Sequence, residues 1–181
     1  MKKSLIEKIQ KSERIELEIV YATLPLILKE GFQNLTIREI CENAHITTGM
    51  FYRHFDSKDE VLIRCFSLRL EELLDEIDGA LEGLSLPEQM ILLLTEVLKL
   101  YQSFGADSIP AFLNPNITAP HNRMLNEKIT FLFPEGADAA SFCADVQILL
   151  NGLLVNWMMG KDTDLVSCGQ KLLWKVVPHF L

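Results

Sequence analysis

The stretch TIREICENAHITTGMFYRHF, residues 36–55, decides the fold. Thr36 is placed as a helix N-cap, and Glu39 three residues later completes the signature of a capping box. Ile37, Ile40, Cys41 and Ala44 then recur at helical spacing on one face. A tight break follows at Asn43, Ala44 and His45, and Ile46 anchors the chain before a second helix. Thr47 or Thr48 can cap that helix, which carries Phe51, Tyr52 and Phe55. Such a helix–turn–helix can lay its second helix in the major groove of duplex DNA while the first braces on the backbone. The pattern asks for apolar residues inside, here Ile40, Cys41, Ala44, Ile46 and Phe51. Outside it asks for hydroxyls and cations that donate to phosphates and base edges, and Thr36, Arg38, Thr47, Thr48, Tyr52, Arg53, His54 and Lys58 are of that kind.

Upstream, Val20, Leu24, Ile27 and Leu28 share one face of a helix that ends at Gly31, and Pro25 is expected to kink it. Downstream, Asp56 and Ser57 give another cap signal, with Glu60 three residues after Ser57. Leu62, Phe66, Leu70, Leu73, Ile77 and Leu81 then predict one long helix over 58–82, long enough to join two domains. A further helix is predicted over 87–104. Residues 105–122 hold Pro110, Pro115 and Pro120 and are expected to be loop with at most a short helix. Helices near 122–133, over 138–159 and over 163–180 complete an all-α chain of about nine helices. The expected domains are an N-terminal three-helix unit, 1–58, and a C-terminal helical unit, 59–181.

The 181 residues are 49% apolar and 23% charged, which excludes a disordered chain and leaves room for one or two small cored domains. No stretch approaches the roughly 18 uninterrupted apolar residues of a membrane-spanning helix, and the first residues lack the apolar run of a secretory signal. A soluble, cytoplasmic protein is expected, with no membrane partner. The net charge of −8 is unevenly spread: residues 1–58 hold nine Lys or Arg against eight Asp or Glu, and 59–181 hold eight against seventeen. An anionic partner therefore belongs near the N-terminus. Cys41, Cys65, Cys143 and Cys168 are scattered among apolar neighbours and read as buried thiols.

The wider stretch Ala22–Phe66 resembles the DNA-binding domain of the tetracycline-repressor (TetR) family of bacterial transcription regulators. The resemblance lies in Lys29 to Phe32, Thr36 to Ile40, Gly49 to Phe55 and Ser57 to Leu62. It implies that Thr36 and Arg38 meet the DNA backbone, with Arg38 within reach of a base. Thr47, Thr48, Gly49 and Met50 are implied at the major groove, and Tyr52, His54 and Lys58 at phosphates, with Arg53 beside them. Phe51 and Phe55 fall to the core. His45 stands at the turn where the family usually has glycine, and Met50 where a small hydroxyl residue is common.

The resemblance further implies a C-terminal domain that binds a small-molecule effector and pairs two copies through its last two helices. Trp157, Met158, Met159, Leu172, Leu173, Trp174, Val176 and Val177 make those helices more apolar than one small domain needs. A pocket for a largely apolar effector is expected among Tyr101, Phe104, Phe112, Leu113, His121, Met124, Phe131 and Trp157, although the same residues read equally well as core. No catalytic constellation, metal site or cofactor is expected. The function read from the sequence is therefore a homodimeric regulator, expected to be a repressor released from a palindromic DNA operator by its effector. An activator, or a second domain that binds a protein partner, stays open as an alternative.

Overall fold

The structure is a computed structural model that describes the backbone of residues 2–160 and 164–180, and the side chains of 12–160 and 164–179. Among the described residues there are ten α-helices and one 3₁₀ turn, with no strand. The chain divides into two compact units, Met1–Cys65 and Phe66–Leu181.

The first unit contains α1 (Lys2–Glu30), α2 (Ile37–Asn43), α3 (Thr48–Phe51) and the first turns of α4 (Lys58–Glu76). Its core is Ile19, Val20 and Ile27 from α1, Phe32 and Leu35 from the following loop, Ile40, Cys41, Phe51 and Phe55 from the hairpin, and Val61, Leu62 and Cys65 from α4. The division therefore falls inside α4, later than the break expected at 58. The reason is that the apolar face of α4 starts to fill the first core as soon as the helix begins. α1 runs through Pro25, whose ring removes one backbone donor. Nearby, Asn43 Nδ2 donates to the Ala22 carbonyl at 2.6 Å and ties α2 to α1 beside that gap. Gly31, at φ 80°, ends α1 with its N–H on the Ile27 carbonyl.

The second unit holds the rest of α4, α5 (Asp78–Leu81), α6 (Leu86–Ser103), a 3₁₀ turn (Ala106–Ser108), α7 (Ile109–Phe112), α8 (Pro115–Leu132), α9 (Ala139–Met159) and α10 (Leu165–Phe180). The helix expected over 58–82 is interrupted at Ile77, between α4 and α5. The expectation of loop over 105–122 is wrong. Pro110 and Pro115 lie in the first turns of α7 and α8, where the absent N–H would have had no partner. Asn114 caps α8 by accepting from the Asn116 N–H at 3.1 Å, and α8 continues through Pro120. Pro110 and Pro115 thus mark helix starts, and Pro120 is accommodated inside α8.

α6 and α10 pack most extensively, and Gly169 is what lets them close. A Cβ at that position would lie 2.2 Å from Leu98 Cδ1. α9 is buried on one side by Phe142, Val146, Leu150, Leu153 and Leu154. Its outer side mixes Ser141, Asp145, Gln147, Asn151 and Asn156 with large apolar side chains: Ile148 and Met159 are 72% and 77% exposed, and Trp174 on α10 is 59% exposed. By length and composition alone α9 could cross a membrane, and a third of its apolar window is buried within the chain.

Candidate functional site

The helix–turn–helix is built by short-range hydrogen bonds that its residue types dictate. Thr36 Oγ1 accepts from the Glu39 N–H at 3.2 Å, and Glu39 Oε2 accepts from the Thr36 N–H at 2.7 Å and hydroxyl at 2.6 Å. These bonds to Thr36 hold the Glu39 carboxyl below its usual range. The turn closes as a Schellman motif, with Ile46 N–H on the Cys41 carbonyl and His45 N–H on that of Glu42. His45 pays for it: at φ 54° it is the one described non-glycine residue with positive φ. Thr47, not Thr48, caps α3, accepting from the Met50 N–H at 3.2 Å.

The ten residues expected at DNA separate into two groups. Arg38, Thr47, Thr48, Gly49, Tyr52 and Arg53 are exposed, and Met50 is half-buried between them. Arg38 Nε rests on Glu42 Oε1 at 2.8 Å with its side chain 86% exposed, an ion pair that costs little to break at the surface. Tyr52 stands edge-on to the buried Phe51 ring, at 5.3 Å between centroids, so its phenol is aimed by packing. The Thr47 hydroxyl accepts as a cap and keeps its proton for an outside acceptor.

Thr36 is also exposed but spends its hydroxyl on its own cap, and His54 and Lys58 are engaged inside the unit. The Thr36 hydroxyl both accepts and donates within its capping box. The His54 side chain is only 8% exposed, with Nδ1 3.7 Å from a Glu16 carboxylate oxygen on α1. Lys58 Nζ donates to the Phe32 and Leu35 carbonyls at 2.9 Å each and lies 4.2 Å from the centre of the Phe32 ring. These bonds join the α1–α2 loop to the start of α4. The sequence reading missed Glu16, Phe32 and Asn43 as partners, because separations of 21 to 38 residues leave no periodic signal.

In the second unit, Tyr101, Phe104, Phe112 and His121 come together around Phe66, a residue the sequence reading had left to the core stripe of α4. Phe66 stacks on Tyr101 at 4.5 Å and lies 4.7 Å from Phe112, 5.4 Å from Phe104 and 5.2 Å from the His121 ring. Leu113, Met124 and Trp157 are half-buried. Phe131 stands away from the cluster, 78% exposed on α8, beside an open groove of about 660 Å³ lined by that helix. Two polar groups are buried within the ring cluster. Tyr101 Oη faces His121 Nε2 at 3.5 Å, and His121 Nδ1 has no partner. Burial pushes the His121 imidazole down to about 4, so the ring is neutral at pH 7.

Residues 19–65 match the family of bacterial regulatory proteins described as tetR. The HTH-type transcriptional regulator HbdR of Aromatoleum sp. (strain CIB) is 30% identical over 74 residues, 41% of this chain and 32% of the relative. The uncharacterized HTH-type transcriptional regulator YerO of Bacillus subtilis (strain 168) is 25% identical over 164 residues, 82% of this chain and 55% of the relative. The matched lengths thus span about a third and about half of these relatives. Among solved structures, the transcriptional regulator FadR from Bacillus subtilis, in complex with stearoyl-CoA, superposes with a TM-score of 0.60 at 17% identity, covering 89% of this chain and 97% of that one. That likeness is one of fold.

Proposed function

Because this chain belongs, by its residues 19–65, to the tetR family of bacterial regulatory proteins, we propose that it is a DNA-binding transcriptional regulator, a repressor that a small effector releases from a palindromic operator. The observation that carries the reading is the outward display of Arg38, Thr47, Thr48, Tyr52 and Arg53 from a hairpin fixed by two side-chain caps and a Schellman turn. Thr47, Thr48 and Gly49 face base edges, and the Met50 thioether meets a thymine methyl. Arg38, Tyr52 and Arg53 hold phosphates. Thr36, His54 and Lys58 act one step back, keeping α2, α3 and α4 in register.

Two copies bind together. The exposed Ile148, Met159 and Trp174 leave apolar surface that a second copy covers through α9 and α10. Two-fold symmetry then presents two recognition helices to two half-sites on one face of the duplex. The effector binds at the ring cluster of the second unit and favours a conformation whose recognition helices no longer match the operator. It can shift that equilibrium only by its difference in affinity for the two conformations.

The test is selection of bound duplexes from a random DNA pool at a fixed salt concentration, since phosphate contacts make affinity salt-dependent. Enrichment of a two-fold palindrome is expected. A folded protein that enriches no sequence, before and after unfolding and refolding to strip any carried ligand, would overturn the reading.

A further inference from the structure

Native interiors seldom leave a buried polar atom unpaired, because the group forfeits its hydrogen bond to water and gains none in return. His121 does so in the middle of an apolar cluster: it is 2% exposed, and its Nδ1 has no partner. Its other nitrogen faces the Tyr101 hydroxyl at 3.5 Å. Tyr101 is itself 4% exposed, and this is the contact open to its hydroxyl. Satisfaction is greatest when the Tyr101 O–H donates to Nε2, which puts the imidazole proton on Nδ1. The result is a neutral N–H donor held among Phe66 and Phe112 with nothing to receive it.

The wall that carries Phe112 is the least regular part of the unit. It consists of a three-residue 3₁₀ turn and the four-residue α7, preceded by Gly105 at φ 85° and followed by Leu113 and Asn114. Short elements of this kind open at lower cost than the long helices around them. Displacing the Phe112 ring, 4.7 Å from Phe66, 5.0 Å from Tyr101 and 6.2 Å from the His121 ring, frees a ring-sized space within the cluster that holds the donor.

We propose that Tyr101 and His121 form the recognition pair for a neutral effector that carries an aromatic ring and an oxygen acceptor, such as an aryl ketone, aldehyde, ester or amide. The inference rests on the effector-binding reading above and names the chemistry of that site. The ring takes the place of Phe112 against Phe66, and the oxygen accepts from His121 Nδ1–H. A carboxylate is excluded because one neutral donor does not offset its desolvation, and the imidazole resists the proton that would supply a charge. A quaternary ammonium gains from the aromatic faces but leaves the N–H without an acceptor, so it binds more weakly than the neutral ketone.

The test compares acetophenone, benzoate and phenyltrimethylammonium, which share a ring and differ in the charge of the head group. Binding is followed through the imidazole resonances of ¹⁵N-histidine-labelled protein and through thermal stability. Acetophenone at millimolar concentration is expected to move the His121 nitrogens and raise the melting temperature, while benzoate does neither and phenyltrimethylammonium does both more weakly. His121→Phe removes the orphaned donor but also strips the buried Tyr101 hydroxyl of its partner, and it is expected to weaken acetophenone binding roughly tenfold, the loss of one hydrogen bond. Tyr101→Phe, a milder change, is expected to weaken it less.

Equal or stronger binding of either ion overturns the proposal. So does acetophenone binding that survives His121→Phe, which would leave an effector site standing with a different recognition group. Failure of all three compounds to bind overturns it as well, while a screen for operator release by other compounds decides the effector reading separately.

Discussion

Replacing Lys58 with Met separates bracing from phosphate contact. The methionine keeps most of the apolar stem and removes the ammonium from the Phe32 and Leu35 carbonyls and from the Phe32 ring. A hydrogen bond from a charged donor contributes roughly 1.5–3 kcal/mol when buried. Lys58 is half-buried, so the lower end applies to each. The cation over the ring adds about 0.5 kcal/mol. The expected loss is therefore roughly 2–4 kcal/mol, read as a lower urea midpoint at unchanged slope. Operator affinity is expected to fall because the loop that sets Thr36 and α2 is loosened. The dependence of affinity on salt is expected to stay as it was, since no phosphate partner is lost. Arg53→Gln is the control: it leaves stability alone and makes the slope of log affinity against log salt shallower by about 1.8 for the dimer, one phosphate's share of about 0.9 from each copy. If Lys58→Met instead keeps its urea midpoint and loses that same share of the salt slope, Lys58 is a phosphate anchor and the bracing argument is refuted.

Other expectations can be checked more briefly. His45→Gly relieves a left-handed backbone and should raise stability by about 1 kcal/mol, measured by urea denaturation; a loss would mean that the imidazole makes a compensating contact. Gly169→Ala drives a methyl into the fully buried Leu98 and should cost about 1–3 kcal/mol by the same assay, with no loss expected only if α6 and α10 can part. Trp174→Glu or Ile148→Glu should convert dimers to monomers in light scattering, and persistence of the dimer in both would move the interface elsewhere. Stability should also fall with acid through His121. Its folded-state pKa of about 4 lies below the unfolded value of 6.5, so between those limits the unfolded chain binds the extra proton. The contribution is whole above pH 6.5 and is lost as pH falls towards 4, at no more than about 1.4 kcal/mol per pH unit. His121→Phe should flatten that part of the profile.

What could be read from the sequence was what short-range chemistry writes there. The Thr36–Glu39 box, the cap at the head of α3, the turn through His45 and the glycine that ends α1 all depend on residues within a few positions of one another. α1, α2 and the apolar stripe of α4 showed through periodicity for the same reason. The prolines of 105–122 misled because Pro110 and Pro115 have opposite meanings inside a helix and at its first turn, and composition does not tell them apart. Pairings across long separations were out of reach: nothing near His54 announces Glu16, and nothing near Lys58 announces the carbonyl of Phe32. Both were assigned to phosphates by resemblance, whereas their side chains point into the unit. In the second unit the aromatic residues were named as a group, yet which of them meet depends on how α4, α6, α7 and α8 cross, and so Phe66 was missed and Phe131 included.

Because α4 lends Val61, Leu62 and Cys65 to the N-terminal core, with Cys65 Sγ 3.6 Å from the Val20 carbonyl, the DNA-reading unit cannot be cut off at the loop before that helix. A fragment stopped at Ser57 would keep every residue expected at DNA except Lys58 and would have an open slot along α1. Grafting this head onto another regulator therefore means splicing within a helix, beyond Cys65. At such a junction phase matters as much as sequence. One residue gained or lost turns everything downstream by about 100° around the helix axis, so insertions there would come in near-integral turns while the hairpin itself tolerates wide exchange of its outward residues.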